Sequence, residues 1–251
     1  MLTTANLRIS YIGGGYDYPE FFRDEQVIIL SEGLPVQVQY NSENGVVSPV
    51  KEFSGLGASA ARYLAILRYY SRYADFKTLV NLAIKRDVRQ KGGWQDAIAA
   101  AHDGFIKITL YQDDWSVEPI ATELAQFRRL YEIPVCREPK NILSEMVCRE
   151  SSFKTMQVLV NEGESALQNA DFQTFGLMVT AAWNLKKQWH PEISNPVIEQ
   201  MQTYAQDTEA WGWKVCGAGG QGYFLVIGDE QCHSQMSRRY ECFEVDDPFI
   251  N

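Results

Sequence analysis

The chain has no excess of basic residues and no closely spaced pair of cysteines, and both absences exclude classes of function. Its formal net charge is −9, whereas a sequence-independent nucleic-acid binder needs a basic face. The five cysteines are an odd number without a Cys-x-x-Cys pair, so neither a disulfide framework nor a zinc site is predicted. We therefore expect no nucleic-acid partner and a reducing compartment, the cytoplasm.

Long apolar runs and a signal-peptide core are also missing. No run approaches the roughly 20 residues that a membrane-spanning helix needs, and the first ten residues, MLTTANLRIS, lack the apolar core of a signal peptide. A hydrophobic content of 45% with 22% charged residues is ordinary for a folded globular protein. We therefore expect no membrane partner. A chain of this length can form either one large domain or two compact ones.

A glycine-rich segment followed by a helical pattern is the first candidate site. Gly55-Leu56-Gly57-Ala58-Ser59-Ala60 leads directly into a run with apolar residues at helical spacing. The first N–H groups of a helix lack internal partners, and glycines let the backbone approach a phosphate. By itself such a loop is more often a packing feature, so it favours a phosphate site only in combination with other segments.

Two further segments place acidic residues beside glycines. Residues 7–12 alternate like a strand and end at Gly13-Gly14-Gly15, which Tyr16 and Asp17 follow. Arg8 at the start of this strand and Asp17 after the turn can face one cleft, or the Asp can simply cap a glycine hairpin. Asp96 likewise follows a glycine pair and precedes an alanine-rich helical turn, where most Asp residues are N-caps.

Together these segments resemble the motifs of the GHMP kinases. The run from Arg8 to Phe22 resembles their first motif in the form of the D-glycero-D-manno-heptose 7-phosphate kinase branch, with Tyr16 in place of Thr. The run from Gly55 to Ala61 resembles the second motif, Gly-Leu-Gly-Ser-Ser-Ala, and Lys214 to Ile227 resembles the third. Residues 182–187 and 193–196 match the same branch outside the nucleotide motifs.

This resemblance implies an α+β fold in two lobes with the site between them. The N-terminal GHMP kinase lobe, residues 1–116, would contain a left-handed β-α-β unit, and the C-terminal lobe, residues 117–251, would be ferredoxin-like. The stretch between the first two motifs is several dozen residues shorter than in these kinases, where it supplies part of the adenine pocket. Local patterns predict strands at 27–30, 35–40 and 105–111, and helices at 77–91, 152–169 and 171–188.

The resemblance also implies a function and assigns residues to it. The protein would use ATP and Mg²⁺ to phosphorylate the anomeric hydroxyl of a sugar, most closely D-glycero-D-manno-heptose 7-phosphate, giving the 1,7-bisphosphate. Asp96 would be the catalytic carboxylate, and Arg8 would keep it ionised. The implied substrate-binding residues are Gly14, Gly15, Tyr16, Asp17, Arg137 and Lys186. The implied nucleotide-binding residues are Gly55, Leu56, Gly57, Ala58, Ser59, Ala60, Gly219 and Gly220. The implied metal ligands are Ser59 and Asp87.

Two alternatives stay open at this stage. An acceptor that already carries a phosphate needs a basic subsite, for which Arg137, Lys186 and Lys187 are candidates, and each is equally readable as a surface charge. If none of them faces the cleft, a neutral sugar of the fucose or galactose type becomes the better substrate. A non-catalytic relative that only binds a sugar or nucleotide is the other alternative, and a homodimer is left open.

Overall fold

Two antiparallel sheets organise the part of the chain that the computed structural model describes, residues 1–51, 54–134, 149–243 and 245. The first sheet has the order β1-β2-β4-β5, with β3 paired to β2, and all its pairings are antiparallel. Its strands are β1 (Thr3–Ile12), β2 (Val27–Asn41), β3 (Gly45–Val47), β4 (Gly104–Tyr111) and β5 (Asp114–Pro119).

Four helices belong to this N-terminal lobe. They are α1 (Pro19–Phe22), α2 (Ala58–Tyr70), α3 (Phe76–Arg89) and α4 (Gln95–Ala99). The buried face of α2 consists of four alanines and Leu64. Because these side chains are small, α2 packs closely against β1 and β2. Its N-terminus is thereby fixed beside the buried strand β1.

The second sheet has the order β7-β8-β6-β9 and is also antiparallel. Its strands are β6 (Arg128–Glu132), β7 (Gly212–Val215), β8 (Tyr223–Ile227) and β9 (Cys242–Phe243), and the helices of this lobe are α5 (Arg149–Gln168), α6 (Phe172–Lys187), α7 (Pro196–Asp207) and α8 (Glu230–Met236). With helices between β6 and β7 and between β8 and β9, this is the strand order of a ferredoxin-like fold. The predicted two-lobed α+β architecture is confirmed, and the left-handed crossover stays a prediction.

One predicted break in the N-terminal sheet is wrong. The strands expected at 27–30 and 35–40 form the single strand β2, because residues 31–33 pair with both β1 and β4. Gly33 looks like a turn residue in the sequence, but a Cβ there would lie 1.8 Å from the His102 carbonyl oxygen. Glycine is needed at this position for a close backbone approach within a strand.

The lobe boundary lies slightly later than the sequence indicates. The predicted division after residue 116 falls inside β5, which pairs with β4 as far as Pro119. The C-terminal sheet begins at Arg128, so the change of lobe occurs between these two residues. None of the helices in the described ranges is both long and apolar enough to cross a membrane.

A buried ion pair joins the two lobes. Arg128 of β6 donates to both carboxylate oxygens of Glu32 of β2, from Nε at 2.8 Å and from Nη2 at 2.7 Å. The Tyr11 hydroxyl donates to Glu32 Oε2 at 2.7 Å. Arg128 and Glu32 are 1% and 3% exposed, so each charge depends on the other for compensation. This contact fixes the C-terminal sheet against β1 and β2.

Candidate active site

The three glycine-rich segments meet at a cavity of about 400 Å³ between the two lobes. The second and third segments touch through their backbones. A Cβ on Gly55 would lie 2.3 Å from the Cys216 carbonyl oxygen, and one on Gly217 would lie 2.6 Å from the Gly55 Cα. Most of the sequence-predicted residues line this cavity. They are Arg8, Gly14, Gly15, Asp17, Gly55, Gly57, Ala58, Ser59, Ala60, Asp87, Asp96, Lys186, Gly219 and Gly220.

Two of the sequence-predicted residues in the described part of the chain do not line the cavity, and a third lies outside that part. The Tyr16 ring is fully buried in an aromatic cluster with Phe21, Phe153 and Trp189. Its side chain therefore packs in the core and does not reach the cavity, and the assignment of Tyr16 to the substrate site stays a prediction. The Leu56 side chain is also fully buried. Arg137 lies outside the described residues.

Arg8 and Asp96 form a tight ion pair in the cavity. Arg8 donates from Nε to Asp96 Oδ1 at 2.8 Å and lies 2.7 Å from the same oxygen through Nη2. The third nitrogen of the Arg8 guanidinium, Nη1, donates to the Gly55 carbonyl oxygen at 2.6 Å. The Arg8 side chain is 5% exposed and that of Asp96 is 39% exposed. The pair thus presents a fixed, solvent-accessible carboxylate whose Oδ2 is available to an acceptor hydroxyl.

The position of Asp96 differs from that of a simple helix cap. Helix α4 begins at Gln95 after the N-cap residue Trp94, so Asp96 is the second residue of the helix. At this position the helix dipole favours a negative charge. The Arg8 contact then sets which oxygen remains open to the cavity.

Asp17 links the first glycine turn to the start of α4. Its carboxylate accepts hydrogen bonds from the Gly15 N–H at 3.2 Å and from the Gln95 N–H at 3.0 Å. Burial, together with the nearby charge of Asp96, raises the pKa of Asp17 above its usual value. A buried carboxylate held in this way is suited to accept hydrogen bonds from sugar hydroxyls.

We expect Gly93→Ala to weaken sugar binding by displacing Asp17. A Cβ on Gly93 would lie 1.9 Å from Asp17 Oδ2, so the carboxylate must move. Loss of hydrogen bonds to a charged group costs about 1.5–3 kcal/mol, which predicts a KM for the sugar roughly 10- to 100-fold higher. The control is Gly104→Ala, where a Cβ would meet no atom within 4 Å; its φ of 68° makes this change destabilising too, but Gly104 does not line the cavity. Equal KM values for both variants would contradict this role of Gly93.

The N-terminus of α2 provides an open group of backbone donors. The N-cap residue, Gly57, has a φ of 71°, and no side chain caps the helix. The first helical hydrogen bond runs from the Ala61 N–H to the Gly57 carbonyl oxygen. The amides that precede Ala61 are therefore available to an anion, with the positive end of the helix dipole behind them.

Ser59 and Asp87, the two predicted metal ligands, are brought together by a residue that the sequence analysis missed. Arg86 Nη1 donates to Ser59 Oγ at 3.0 Å and to Asp87 Oδ1 at 3.0 Å. The second oxygen, Asp87 Oδ2, is buried and has no hydrogen-bond partner among the described residues. Burial and the charge of Asp96 raise the pKa of Asp87 to about 6.

This arrangement fits a magnesium ion that is bound together with a nucleotide. A buried carboxylate oxygen without a partner is a suitable ligand for a hard cation, and a Ser hydroxyl oxygen can complement it. Within the described ranges, no group of three or more His, Cys, Asp or Glu residues is arranged to hold a metal ion. The remaining Mg²⁺ ligands would then be phosphate oxygens and water, as is usual for this ion.

Two of the three candidate basic residues differ clearly in their surroundings. Lys186 is buried on the cavity wall and donates from Nζ to the Gly217 carbonyl oxygen. Lys187 points elsewhere, since it donates to Gln202 Oε1 at 3.0 Å and pairs with Glu199 at 3.6 Å. Of these two lysines, only Lys186 can contact a ligand in the cavity.

Several cavity residues were not among the sequence predictions. Lys214 donates from Nζ to the carbonyl oxygens of Ser10 at 2.6 Å and Tyr11 at 2.9 Å. Gln95 accepts from the Ser10 hydroxyl at 3.2 Å. Lys214 begins the third glycine segment and Gln95 precedes Asp96, so their positions beside motifs were the available signal. Further lining residues are Tyr18, Gln90, Gly92, Gly93, Glu192, Cys216, Gly217, Ala218 and Gln221.

Solved kinase structures share this architecture over nearly the whole chain. A putative sugar kinase from Campylobacter jejuni is 18% identical with a TM-score of 0.69, over 96% of this chain and 94% of that one. A D-glycero-D-manno-heptose 1-phosphate kinase from Bacteroides thetaiotaomicron is 15% identical with a TM-score of 0.65, over 96% and 94%. Phosphomevalonate kinase from Streptococcus pneumoniae, in complex with phosphomevalonate and AMPPNP, is 12% identical with a TM-score of 0.76, over 97% and 98%.

Sequence comparison supports the same relationship in the C-terminal lobe. Residues 164–241 match the family model described as GHMP kinases C terminal. No curated protein sequence matches the chain. The matched range includes α6, the third glycine segment and the strands on either side of it. Residues 164–241 are thus similar to the C-terminal domain of GHMP kinases, and the two lobes together have the fold of the solved kinase structures above.

Proposed function

We propose that the protein is an ATP-dependent kinase that phosphorylates the anomeric hydroxyl of a sugar. The observation that carries this proposal is the Arg8–Asp96 ion pair, which shares one cavity with the open N-terminus of α2. Phosphoryl transfer depends mainly on positioning and on neutralisation of charge. A fixed carboxylate for the acceptor and a helix N-terminus for the phosphates supply these two requirements.

In the proposed reaction, Asp96 orients the acceptor hydroxyl through Oδ2. The hydroxyl oxygen forms a bond to the γ-phosphorus of ATP while the bond to the β–γ bridging oxygen breaks. The hydroxyl proton passes to the Asp96 carboxylate, and ADP leaves. Arg8, which holds Asp96 Oδ1, also neutralises part of the charge that develops on the transferred group.

The other residues of the cavity would hold the two substrates. Backbone amides at the start of α2 would bind the nucleotide phosphates, and the Gly217–Gly220 segment would support them from the C-terminal lobe. Ser59 and Asp87 would hold Mg²⁺, which neutralises phosphate charge when bound. Asp17 would accept hydrogen bonds from sugar hydroxyls, because its carboxylate is fixed by Gly15 and Gln95.

For the acceptor, we propose D-glycero-D-manno-heptose 7-phosphate, with the 1,7-bisphosphate as product. Support comes from the resemblance of residues 182–187 to that branch and from the position of Lys186 on the cavity wall. A phosphate on the acceptor requires a cation such as this one. A neutral sugar is the second candidate, because Lys186 already donates to the Gly217 carbonyl oxygen.

The test is ADP release with ATP and Mg²⁺ over a panel of acceptors. The panel contains the heptose 7-phosphate, mannose 6-phosphate, L-fucose, galactose and a blank without sugar. We expect turnover on the heptose phosphate, and we expect Lys186→Met to raise its KM by about tenfold or more because a charged contact is lost. Turnover on a neutral sugar alone would support the kinase assignment and contradict a phosphorylated acceptor. No turnover, with no rise in melting temperature on adding ATP, would contradict the kinase and favour a non-catalytic relative.

A further inference from the structure

Two buried lysines form part of the cavity wall that the C-terminal lobe contributes. Lys186 of α6 is 8% exposed and Lys214 of β7 is 6% exposed, and both line the cavity. Among the described residues, their ammonium groups donate to backbone carbonyl oxygens alone, that of Gly217 for Lys186 and those of Ser10 and Tyr11 for Lys214. Within the described part of the chain, neither lysine forms an ion pair.

The surroundings of these lysines leave their charge uncompensated. The pKa of Lys186 is lowered to about 8, mainly by burial and then by the charge of Arg8. The charges of Asp17 and Asp96 oppose this lowering without removing it. Burial lowers the pKa of Lys214 to about 7, and the positive charge of Lys186 adds to this effect. The thiol of the neighbouring Cys216 is protonated, since burial raises its pKa.

The contrast with the other buried cations of the molecule is informative. Arg128 forms an ion pair with both carboxylate oxygens of Glu32, and Arg8 forms one with Asp96. An unpaired buried charge is costly, and proteins keep such charges where a ligand supplies the opposite sign. The two lysines adjoin a cavity open to solvent, so an anion from solution can reach them.

We propose that Lys186 and Lys214 form a subsite that binds the phosphate group of a phosphorylated sugar. An ammonium group has three protons to donate; Lys186 uses one and Lys214 uses two in the contacts above. The remaining protons can be donated to phosphate oxygens, which form strong charge-assisted hydrogen bonds. The choice of a sugar rests on the proposed function, whereas the preference for an anion rests on the two lysines alone.

The phosphate has two chemical sources, and the positions of the lysines are compatible with each. It is either the phosphate that the acceptor brings with it or the phosphoryl group on the anomeric carbon after transfer. Mannose 6-phosphate represents the first source and mannose 1-phosphate the second, and mannose lacks both groups. Because the three ligands share one sugar ring, any difference in their affinities reports which of the two phosphate groups the subsite binds.

The experiment is isothermal titration calorimetry of the nucleotide-free protein with each of the three ligands. It is run at about pH 8.5, above both lowered lysine pKa values and below the ordinary one, in two phosphate-free buffers of different ionisation enthalpy. We expect one of the mannose phosphates to bind about tenfold or more tightly than mannose. We also expect it to draw protons from the buffer, because the anion favours the charged form of both lysines.

Variants separate the subsite from a purely structural role. Lys186→Met and Lys214→Met should each reduce the preference for the phosphate by about tenfold and reduce the proton uptake. Lys187→Met is the matched control, since Lys187 pairs with Glu199 outside the cavity, and it should bind as the wild type does. If Lys214→Met fails to fold because it loses its contacts with β1, Lys186→Met still provides the test.

Two outcomes would overturn the subsite. One is equal affinity for mannose and both mannose phosphates, and the other is a phosphate preference that neither lysine variant changes. Sugar-dependent ADP release in either case would leave the proposed kinase intact. Lysine-dependent phosphate binding without ADP release on any acceptor would keep the subsite and contradict the kinase.

Discussion

Asp96→Asn should lower kcat for sugar-dependent ADP release by about 10²–10⁴-fold, the usual contribution of a positioned general base. The amide keeps the size of the carboxylate and retains an oxygen that can accept from Arg8. It cannot take the proton of the acceptor hydroxyl, and it leaves the Arg8 charge without its partner. Because the Asp96 end of this ion pair is 39% exposed to the cavity, water can screen the Arg8 charge there, so the variant should stay folded with a lower melting temperature.

Steady-state kinetics on the accepted sugar and far-UV circular dichroism measure the two parts of this prediction. Asp113→Asn is the matched control, because it removes the same charge from an exposed residue in the turn between β4 and β5. That variant should retain the wild-type kcat. An Asp96→Asn enzyme as active as the wild type would refute Asp96 as the catalytic base and with it the proposed mechanism.

Arg128→Met should lower the free energy of unfolding by about 3–5 kcal/mol, the usual cost of removing one partner of a buried ion pair. The variant leaves the Glu32 carboxylate buried between the lobes, where the Tyr11 hydroxyl still donates to it. An uncompensated charge in this position is far more costly than the loss of the hydrogen bonds themselves. Urea unfolding followed by tryptophan fluorescence measures the change.

Two further variants test whether the charge is the cause. Arg129→Met alters the next residue of β6, whose ion pair with Glu230 spans 3.8 Å at the surface, and it should cost about 1 kcal/mol or less. The double variant Arg128→Met/Glu32→Gln removes the orphaned charge and keeps an acceptor for the Tyr11 hydroxyl. It should regain part of the lost stability. A double variant less stable than Arg128→Met would contradict the charge-based explanation.

Local patterns predicted the elements that depend on nearby residues. The expected helices at 77–91, 152–169 and 171–188 correspond to α3, α5 and α6 within a few residues. Their ends follow local chemistry, since Asp75 and Asp171 accept from the N–H groups of Thr78 and Thr174 at the starts of α3 and α6. Residues within one helical turn determine where a helix begins and ends, so these boundaries can be predicted from the sequence.

The structure departs from the sequence pattern at residues whose environment comes from distant parts of the chain. Gly33 interrupts an apolar pattern, but its partner is the backbone of His102 across the lobe. Tyr16 occupies a motif position, but three aromatic rings from α1, α5 and the segment after α6 enclose it. Sequence periodicity carries no information on such contacts, because it reports only which face of one element is apolar.

By itself, the sequence determined the three glycine-rich segments, the charged residues beside them and the two-lobed α+β architecture that their resemblance implied. Only the tertiary structure decided that Arg86 joins Ser59 to Asp87, and that Lys186 and Lys214 lie buried on one cavity wall without an ion pair among the described residues. The physical reason is that backbone conformation follows from local sterics and hydrogen bonding, whereas burial and charge compensation depend on which distant segments pack together.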